Sequence, residues 1–416
     1  MAVTLPVVLL ILDWYPCQRL KGLKVYRGVL IEKLPFFVLS LGSSIITVLA
    51  QRSGKAVMSL EFAPLALRII VGVKTFIAYL WKILLPLNLT PFYPYPRSGS
   101  FLSLKYLGPI LLVIGITAFC IVVLKRQRLW LAVWSYYVIT LLPVSGIIQV
   151  GFQSMADRYT YLPSLGPFFV IGLVVTLVYE RVSTSEKWGL VFKVFSAAIV
   201  VVLMWLSIQQ IGVWKDSLTL WNYVIKEKSV KNPVAYYHRG IAYYEDGKYD
   251  RAIEDYTTAI ALNPDYFEAY NNRGVTHGRK GEYNRAIEDY DMAIALSQDF
   301  RVYNNRGNTY ITKGLLERAI EDFNKAIAIN PDSDEAYSSR GIACYLKGQY
   351  DKAFEDFKKA IELNQNNAEA YINLGYVYLQ MGNRELAISD LQKGCNLGNK
   401  NGCKTLQNLL NNNLRQ

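Results

Sequence analysis

Two hydrophobic patterns divide this chain. Up to about residue 212 the apolar positions run together, in stretches at 2–14, 34–50, 65–86, 106–124, 129–147, 161–179 and 191–211. All but the first approach the roughly 17–25 residues that a helix needs to cross hydrocarbon. Beyond residue 232 small residues return at a fixed interval instead. Gly240, Gly274, Gly307, Gly341 and Gly375 are separated by 34, 33, 34 and 34 residues, and Ala252, Ala286, Ala319, Ala353 and Ala387 keep the same step. A second glycine series, Gly247, Gly281, Gly314, Gly348 and Gly382, runs in register with them. A period near 34 means one supersecondary unit stacked five times. The pattern predicts an all-α protein: a polytopic helical domain at 1–212, a linker helix at 213–232, five repeats at 233–401, and a capping helix and tail at 402–416.

Charge orders the apolar stretches. Residues 1–212 hold 19 Lys/Arg against 6 Asp/Glu, a net +13, while residues 213–416 hold 26 against 27, a net −1. The basic residues gather in the links 16–33 (Arg19, Lys21, Lys24, Arg27, Lys33), 125–128 (Lys125, Arg126, Arg128) and 181–193 (Arg181, Lys187, Lys193). Positive links stay on the cytoplasmic side. Two crossings then separate residue 33 from residue 125, so 65–86, with Arg68, Lys74 and Lys82, is expected to lie on the outer interface rather than span. The other reading is a seventh span whose cations snorkel. The first gives six spans, with the N-terminus and the repeats outside. No basic stripe marks the repeats, which argues against nucleic-acid binding.

On the outer side lie "NLTPFYPYP" at 88–96 and "QVGFQSMADRYTYLP" at 149–163. In the first, Pro91, Pro94 and Pro96 are expected to forbid regular structure, and Phe92, Tyr93 and Tyr95 to settle at headgroup level. Asp157 and Arg158 are either functional ionisable residues or a helix cap and interfacial anchor. No metal or cofactor is expected: no two of the five cysteines form a CxxC, and there are two histidines. A cleavable signal peptide is not evident at Ala2–Trp14, which lacks a basic leader. Cys395 and Cys403 flank a turn between two helices, which could bring the sulfurs together in an oxidising compartment; otherwise both are small packed residues.

Within each repeat the first glycine marks a close approach of two helices, with alanines (Ala252 and Ala259 in the first) on the second helix. Large aromatics Tyr256, Tyr290, Phe323 and Phe357 fill the space between units. Pro264 and Pro331 end second helices. These repeats closely resemble tetratricopeptide repeats, although 267–299 is one residue short and has Gln298 where the family often has proline. The resemblance implies protein or peptide recognition on the surface lined by first helices. Tyr237, Asn271, Asn304, Asn308 and Tyr345 are expected there as a peptide-binding groove, unless they are merely solvated surface. Arg239, Arg273, Arg306 and Arg340 are expected to be half-buried partners of carboxylates. The acidic pairs Glu254/Asp255, Glu288/Asp289, Glu321/Asp322 and Glu355/Asp356 read as a solvated face.

The whole chain resembles the transmembrane and tetratricopeptide-repeat-containing protein O-mannosyltransferases of the GT-C type and their bacterial relatives. The resemblance rests on "MAVTLPVVLLILDWYP" at 1–16, "YRGVLIEKLPFF" at 26–37, "NLTPFYPYP" at 88–96, "QSMADRYTYLPSLG" at 153–166 and "WKDSLTLW" at 214–221. It implies an integral membrane protein, with repeats in the periplasm of a bacterium or the lumen of the endoplasmic reticulum. It implies a polyprenyl-phosphate sugar as donor, for which Arg158, Tyr159, Tyr161, Gln153, Tyr93 and Tyr95 are the candidate lipid-phosphate residues. The family's acidic catalytic loop precedes the stretch that resembles 1–16 and has no counterpart here, which leaves Asp157 as the candidate base and implies that the chain does not catalyse alone. The alternative is a non-catalytic membrane scaffold for envelope assembly.

Overall fold

The structure, a computed structural model, describes residues 4–19, 23–53, 64–85, 89–90, 93–96, 103–145, 153–155, 157–227 and 232–413. It is all-α, with nineteen α-helices and one two-stranded sheet among those residues. The chain forms two compact units, Met1–Trp214 and Lys215–Gln416.

The first unit holds α1 (Leu5–Trp14), α2 (Leu23–Ser53), α3 (Leu65–Leu84), α4 (Leu104–Val123), α5 (Leu129–Leu141), α6 (Leu165–Val182) and α7 (Glu186–Val213). Four helical segments are long and apolar enough to cross a membrane: Tyr26–Ala50, Leu104–Val123, Leu165–Val182 and Glu186–Val213. The expected spans at 2–14 and 129–147 are shorter helices, Leu5–Trp14 and Leu129–Val144. At 1.5 Å per residue α1 is about 15 Å long, half the hydrocarbon thickness. Two basic links are also shorter than expected. Lys24, Arg27 and Lys33 lie on α2, and Lys187 and Lys193 on α7, because helical spacing of apolar residues continues through them.

Helix α3 is amphipathic. Leu67, Ile70, Val71, Phe76 and Tyr79 are buried on one face while Ile69 and Trp81 are exposed. Its buried face joins Tyr137 and Leu141 of α5 and Met155 in one core cluster. The Tyr137 hydroxyl donates to the Phe76 carbonyl at 2.6 Å, so α5 is tied to α3 by a buried polar bond. Between α1 and α2, Lys33 Nζ lies 3.2 Å from Asp13 and 2.8 Å from Glu32, and Arg19 reaches the same two carboxylates at 3.0 and 2.7 Å. Two charges taken out of water need such pairing.

The second unit starts with α8 (Ser217–Glu227). Five helical hairpins follow: α9 (Pro233–Glu245) with α10 (Tyr249–Leu262), α11 (Phe267–Arg279) with α12 (Tyr283–Leu296), α13 (Phe300–Thr312) with α14 (Leu316–Ile329), α15 (Asp334–Leu346) with α16 (Tyr350–Leu363), and α17 (Ala368–Gln380) with α18 (Arg384–Asn396). A last helix, α19 (Lys400–Asn413), covers the end of the stack against α18. The second glycine series turns each hairpin, with φ from +73° to +80°, a region that a side chain disfavours. In the first series the aromatic of the same repeat, or Leu391 in the fifth, lies against the glycine: a Cβ on Gly307 would lie 2.6 Å from the Phe323 ring, and one on Gly240 2.7 Å from Tyr256. The aromatics thus sit on their own repeat's glycine rather than only between units. The disulfide Cys395–Cys403 joins α18 to α19.

Candidate functional site

Each of the first four repeats carries one buried ion pair. Arg306 donates from Nε and Nη2 to Asp322 at 2.8 and 2.7 Å, and Arg239–Asp255, Arg273–Asp289 and Arg340–Asp356 repeat this two-point geometry. The guanidinium also reaches back one step in the stack, to Asn222, Thr257, Asp291 or Asn324, and lies over the tyrosine three positions before it. The arginines are structural partners, as expected. The acidic pairs are not one solvated face. Their glutamates are exposed, but Asp255, Asp289, Asp322 and Asp356 are buried, because a helix turns neighbouring residues about 100° apart. The fifth repeat has Leu374 at the arginine position, and burial pushes the Asp390 carboxyl up from its ordinary value.

The row of first helices carries the polar surface. Asn272 Nδ2 donates to the Tyr237 hydroxyl at 3.1 Å, Asn271 Nδ2 to Asn272 Oδ1 at 3.2 Å, and Asn305 Nδ2 to Asn271 Oδ1 at 3.0 Å. This ladder links the first three repeats through "NNRG" at 271–274 and 304–307. In the fourth repeat the same two positions are Ser338 and Ser339, whose side chains are too short to continue it. Among the described residues Asn304 Oδ1, in a side chain with 4% exposure, then has no hydrogen-bond partner, and neither does Asn373 Nδ2 in the fifth repeat. One open acceptor and one open donor lie on either side of the break. Each such buried group costs about 1–3 kcal/mol until it is satisfied.

The expected groove residues fare differently. Asn271 is held within the ladder and Asn308 is exposed. Tyr237 packs on Tyr266 with ring centroids 4.9 Å apart, and burial, with the nearby Glu268 charge, pushes its hydroxyl up to about 12. His238 stacks on Trp221 at 4.8 Å, and burial lowers its pKa. Burial raises the Glu268 carboxyl. Tyr345 meets Tyr350 edge-on and accepts from Gln380 at 3.4 Å. Asn272, Asn305 and Asn373 went unnoticed in the sequence, although the doubled asparagine of "NNRG" marks two of them.

In the first unit the segments 88–96 and 149–163 meet through residues 93–94 and 153–155. Contrary to the expectation from its prolines, residues 93–94 form a short strand: β1 (Tyr93–Pro94) pairs antiparallel with β2 (Gln153–Met155), with Tyr93 opposite Met155, as proline is tolerated in an edge strand. Tyr93 and Tyr159 pack against the cluster around Tyr79 and Tyr137, whereas Tyr161 is 77% exposed. Tyr95 is buried with Tyr106 against α3, and neither hydroxyl has a partner among the described residues. Burial pushes the Tyr95 hydroxyl up to about 12, against the opposing charge of Arg68. Gln153, Asp157 and Arg158 are described in backbone only; their side chains lie outside the described residues, as does the whole of Glu61, which the expected topology makes the other outer-side acid of residues 1–212 beside Asp157.

Comparison with known proteins assigns the second unit. The TPR repeat family matches 240–281, 307–348 and 341–382, and further tetratricopeptide repeat families match 267–300 and 368–401. The matched residues, 240–300 and 307–401, are tetratricopeptide repeats. Among solved structures, MamA is 26% identical over 39% of this chain and 95% of its own, with a TM-score of 0.36. TTC0263 of Thermus thermophilus, described as a thermophilic TPR protein, is 24% identical over 43% of this chain and 99% of its own, with a TM-score of 0.38. YrrB, described as a TPR protein with an unusual peptide-binding site, is 21% identical over 43% and 93%, with a TM-score of 0.36. No curated protein matches the chain.

Proposed function

We propose that this protein is a membrane-anchored tetratricopeptide-repeat scaffold, which holds an extended protein segment on its first-helix face. The break in the asparagine ladder carries the reading. A peptide backbone offers a donor and an acceptor at every residue, and Asn304 Oδ1 and Asn373 Nδ2 need one of each. Tyr345, half-buried on the first helix of the fourth repeat, supplies apolar area for its side chains. The four apolar helical segments support anchoring; with the shorter apolar helix Leu129–Val144 as a further crossing, the basic links support repeats on the outer side, periplasmic or lumenal.

The test closes the ladder. Peptides are first selected on the detergent-solubilised chain from a random library. Ser339→Asn gives Asn304 an internal partner and should weaken the selected peptides about tenfold, one hydrogen bond's worth, while the repeats become no less stable. Unchanged affinity would remove Asn304 from the site.

A second reading, a relation to polyprenyl-phosphate-sugar-dependent O-mannosyltransferases, is favoured by the pairing of β1 with β2, which joins the two motifs that carry that resemblance. A serine or threonine hydroxyl needs a positioned base, and Asp157 is the candidate. On this reading the chain transfers no sugar alone. Reconstitution with polyprenyl-phosphate sugars and a Ser/Thr-rich peptide tests it; turnover lost in Asp157→Asn would make Asp157 the base.

A further inference from the structure

Where the residues just after α1, the turn 124–128 and the middle of α6 meet, the first unit has an open cleft of about 880 Å³. Its two sides differ in chemistry. On the turn, Lys125, Arg126 and Arg128 line the rim, all exposed, and no lining residue is acidic. Across from them α6 presents an apolar wall, with Leu173 36% and Leu177 64% exposed. Trp130 closes the corner between rim and wall, its indole N–H donating to Gln127 at 2.7 Å.

A solvated basic turn explains the rim but not the wall, and a face turned to lipid explains the wall but not three cations at its edge. A single ligand with an anionic head and a hydrocarbon chain fits both. Three positive charges within four residues, with no carboxylate in the cleft, favour a phosphate diester. Guanidinium groups bind phosphate oxygens in pairs. An indole at the junction is characteristic of headgroup level. A basic pocket between helices on the cytoplasmic side is the setting in which anionic headgroups bind.

We propose that this cleft binds an anionic glycerophospholipid, its phosphate against Arg126 and Arg128 and an acyl chain along α6. The inference rests on the membrane reading of residues 1–212. It goes beyond that reading, since it assigns a specific lipid site at the cytoplasmic end of the apolar helices.

The test uses the full chain purified in a neutral detergent. Partition into detergent is scored first, so a soluble chain would refute the membrane reading separately. Native mass spectrometry then follows titration with dioleoyl phosphatidylglycerol and dioleoyl phosphatidylcholine. The expected result is at least tenfold tighter retention of phosphatidylglycerol, lost in the Arg126→Gln/Arg128→Gln double variant. Leu173→Trp, which fills the apolar wall, should weaken phosphatidylglycerol while leaving the circular dichroism unchanged. Equal retention of the two lipids by the wild-type chain would overturn the proposal, as would a double variant that keeps the preference. Full competition by soluble glycerol 3-phosphate would overturn it in favour of a site for a free phosphate.

Discussion

The fifth repeat offers an internal control for the buried ion pairs. Asp322 and Asp390 occupy the same register position, but Asp322 meets Arg306, while the arginine position of the fifth repeat holds Leu374. In the first pair the Asp322 side chain is 3% exposed and that of Arg306 14%, with two hydrogen bonds at 2.7 and 2.8 Å. Breaking a buried pair from one side costs about 3–5 kcal/mol at full burial. Arg306 keeps Asp291, and asparagine keeps one acceptor, so Asp322→Asn should cost about 2 kcal/mol, a factor of about 30 in an opening equilibrium. Asp390 behaves oppositely. Burial raises its carboxyl, with Lys393 only a secondary opposing influence, so ionisation works against the folded state. Stability is lost there as the pH rises from the ordinary carboxyl value through the folded pKa, and Asp390→Asn removes the loss. Amide exchange on the intact protein resolves each hairpin by peptide. Protection over 300–329 should fall about 30-fold in Asp322→Asn, while protection over 368–396 should hold or rise in Asp390→Asn. A loss under threefold in the first variant, or an equal loss in both, would refute the reasoning.

The close packing at Gly307, the ion pairs of Glu282, the disulfide and the basic links of the sequence each carry a further expected outcome. Gly307→Ala places a Cβ 2.6 Å from the fully buried Phe323 ring; overpacking costs about 1–3 kcal/mol, offset by up to about 1 kcal/mol of helix propensity, so urea denaturation followed by tyrosine fluorescence should show a net loss. Hydrogen bonds from Lys280, then His277, hold the Glu282 carboxyl down at about 2, so its contribution is present above its ordinary value of 4.5 and is lost as pH falls toward 2; Glu282→Gln should flatten the pH dependence of exchange in α11 and α12. Cys395 and Cys403 should resist alkylation in unfolded protein until reductant is added, and two reactive thiols in unreduced protein would contradict the disulfide. A single cysteine introduced on the repeat surface should react with an impermeant reagent in intact cells or sealed lumen-out vesicles; reaction only after lysis would reverse the topology.

The repeats were legible because their glycines, alanines and aromatics carry their packing in their identity: Gly307 can only be small, and Phe323 fills what it leaves. The four arginines were legible for the same reason, since each recurs one residue before its glycine. Their carboxylate partners were misread, because two adjacent acids look alike in a sequence while the helix buries one and turns the other outward. The break in the asparagine ladder needs distances across repeats, as it depends on serine being too short to reach. In the first unit, hydropathy located the apolar helices but not their ends. Lys24 to Lys33 look like a loop by charge, yet α2 runs through them, with Lys33 buried against Asp13. The meeting of residues 93–94 with 153–155 is a long-range pairing that no local pattern announces.

The central claim is that the first-helix face of the repeats holds an extended protein segment, and photocrosslinking in intact membranes tests it most directly. A benzophenone side chain replaces Asn308, exposed on that face, or Lys359, exposed on a second helix. Irradiation should join a partner protein at position 308, little or none at position 359, and less at position 308 when Ser339→Asn closes the ladder. Equal adducts at both positions, or none at 308, would contradict the claim.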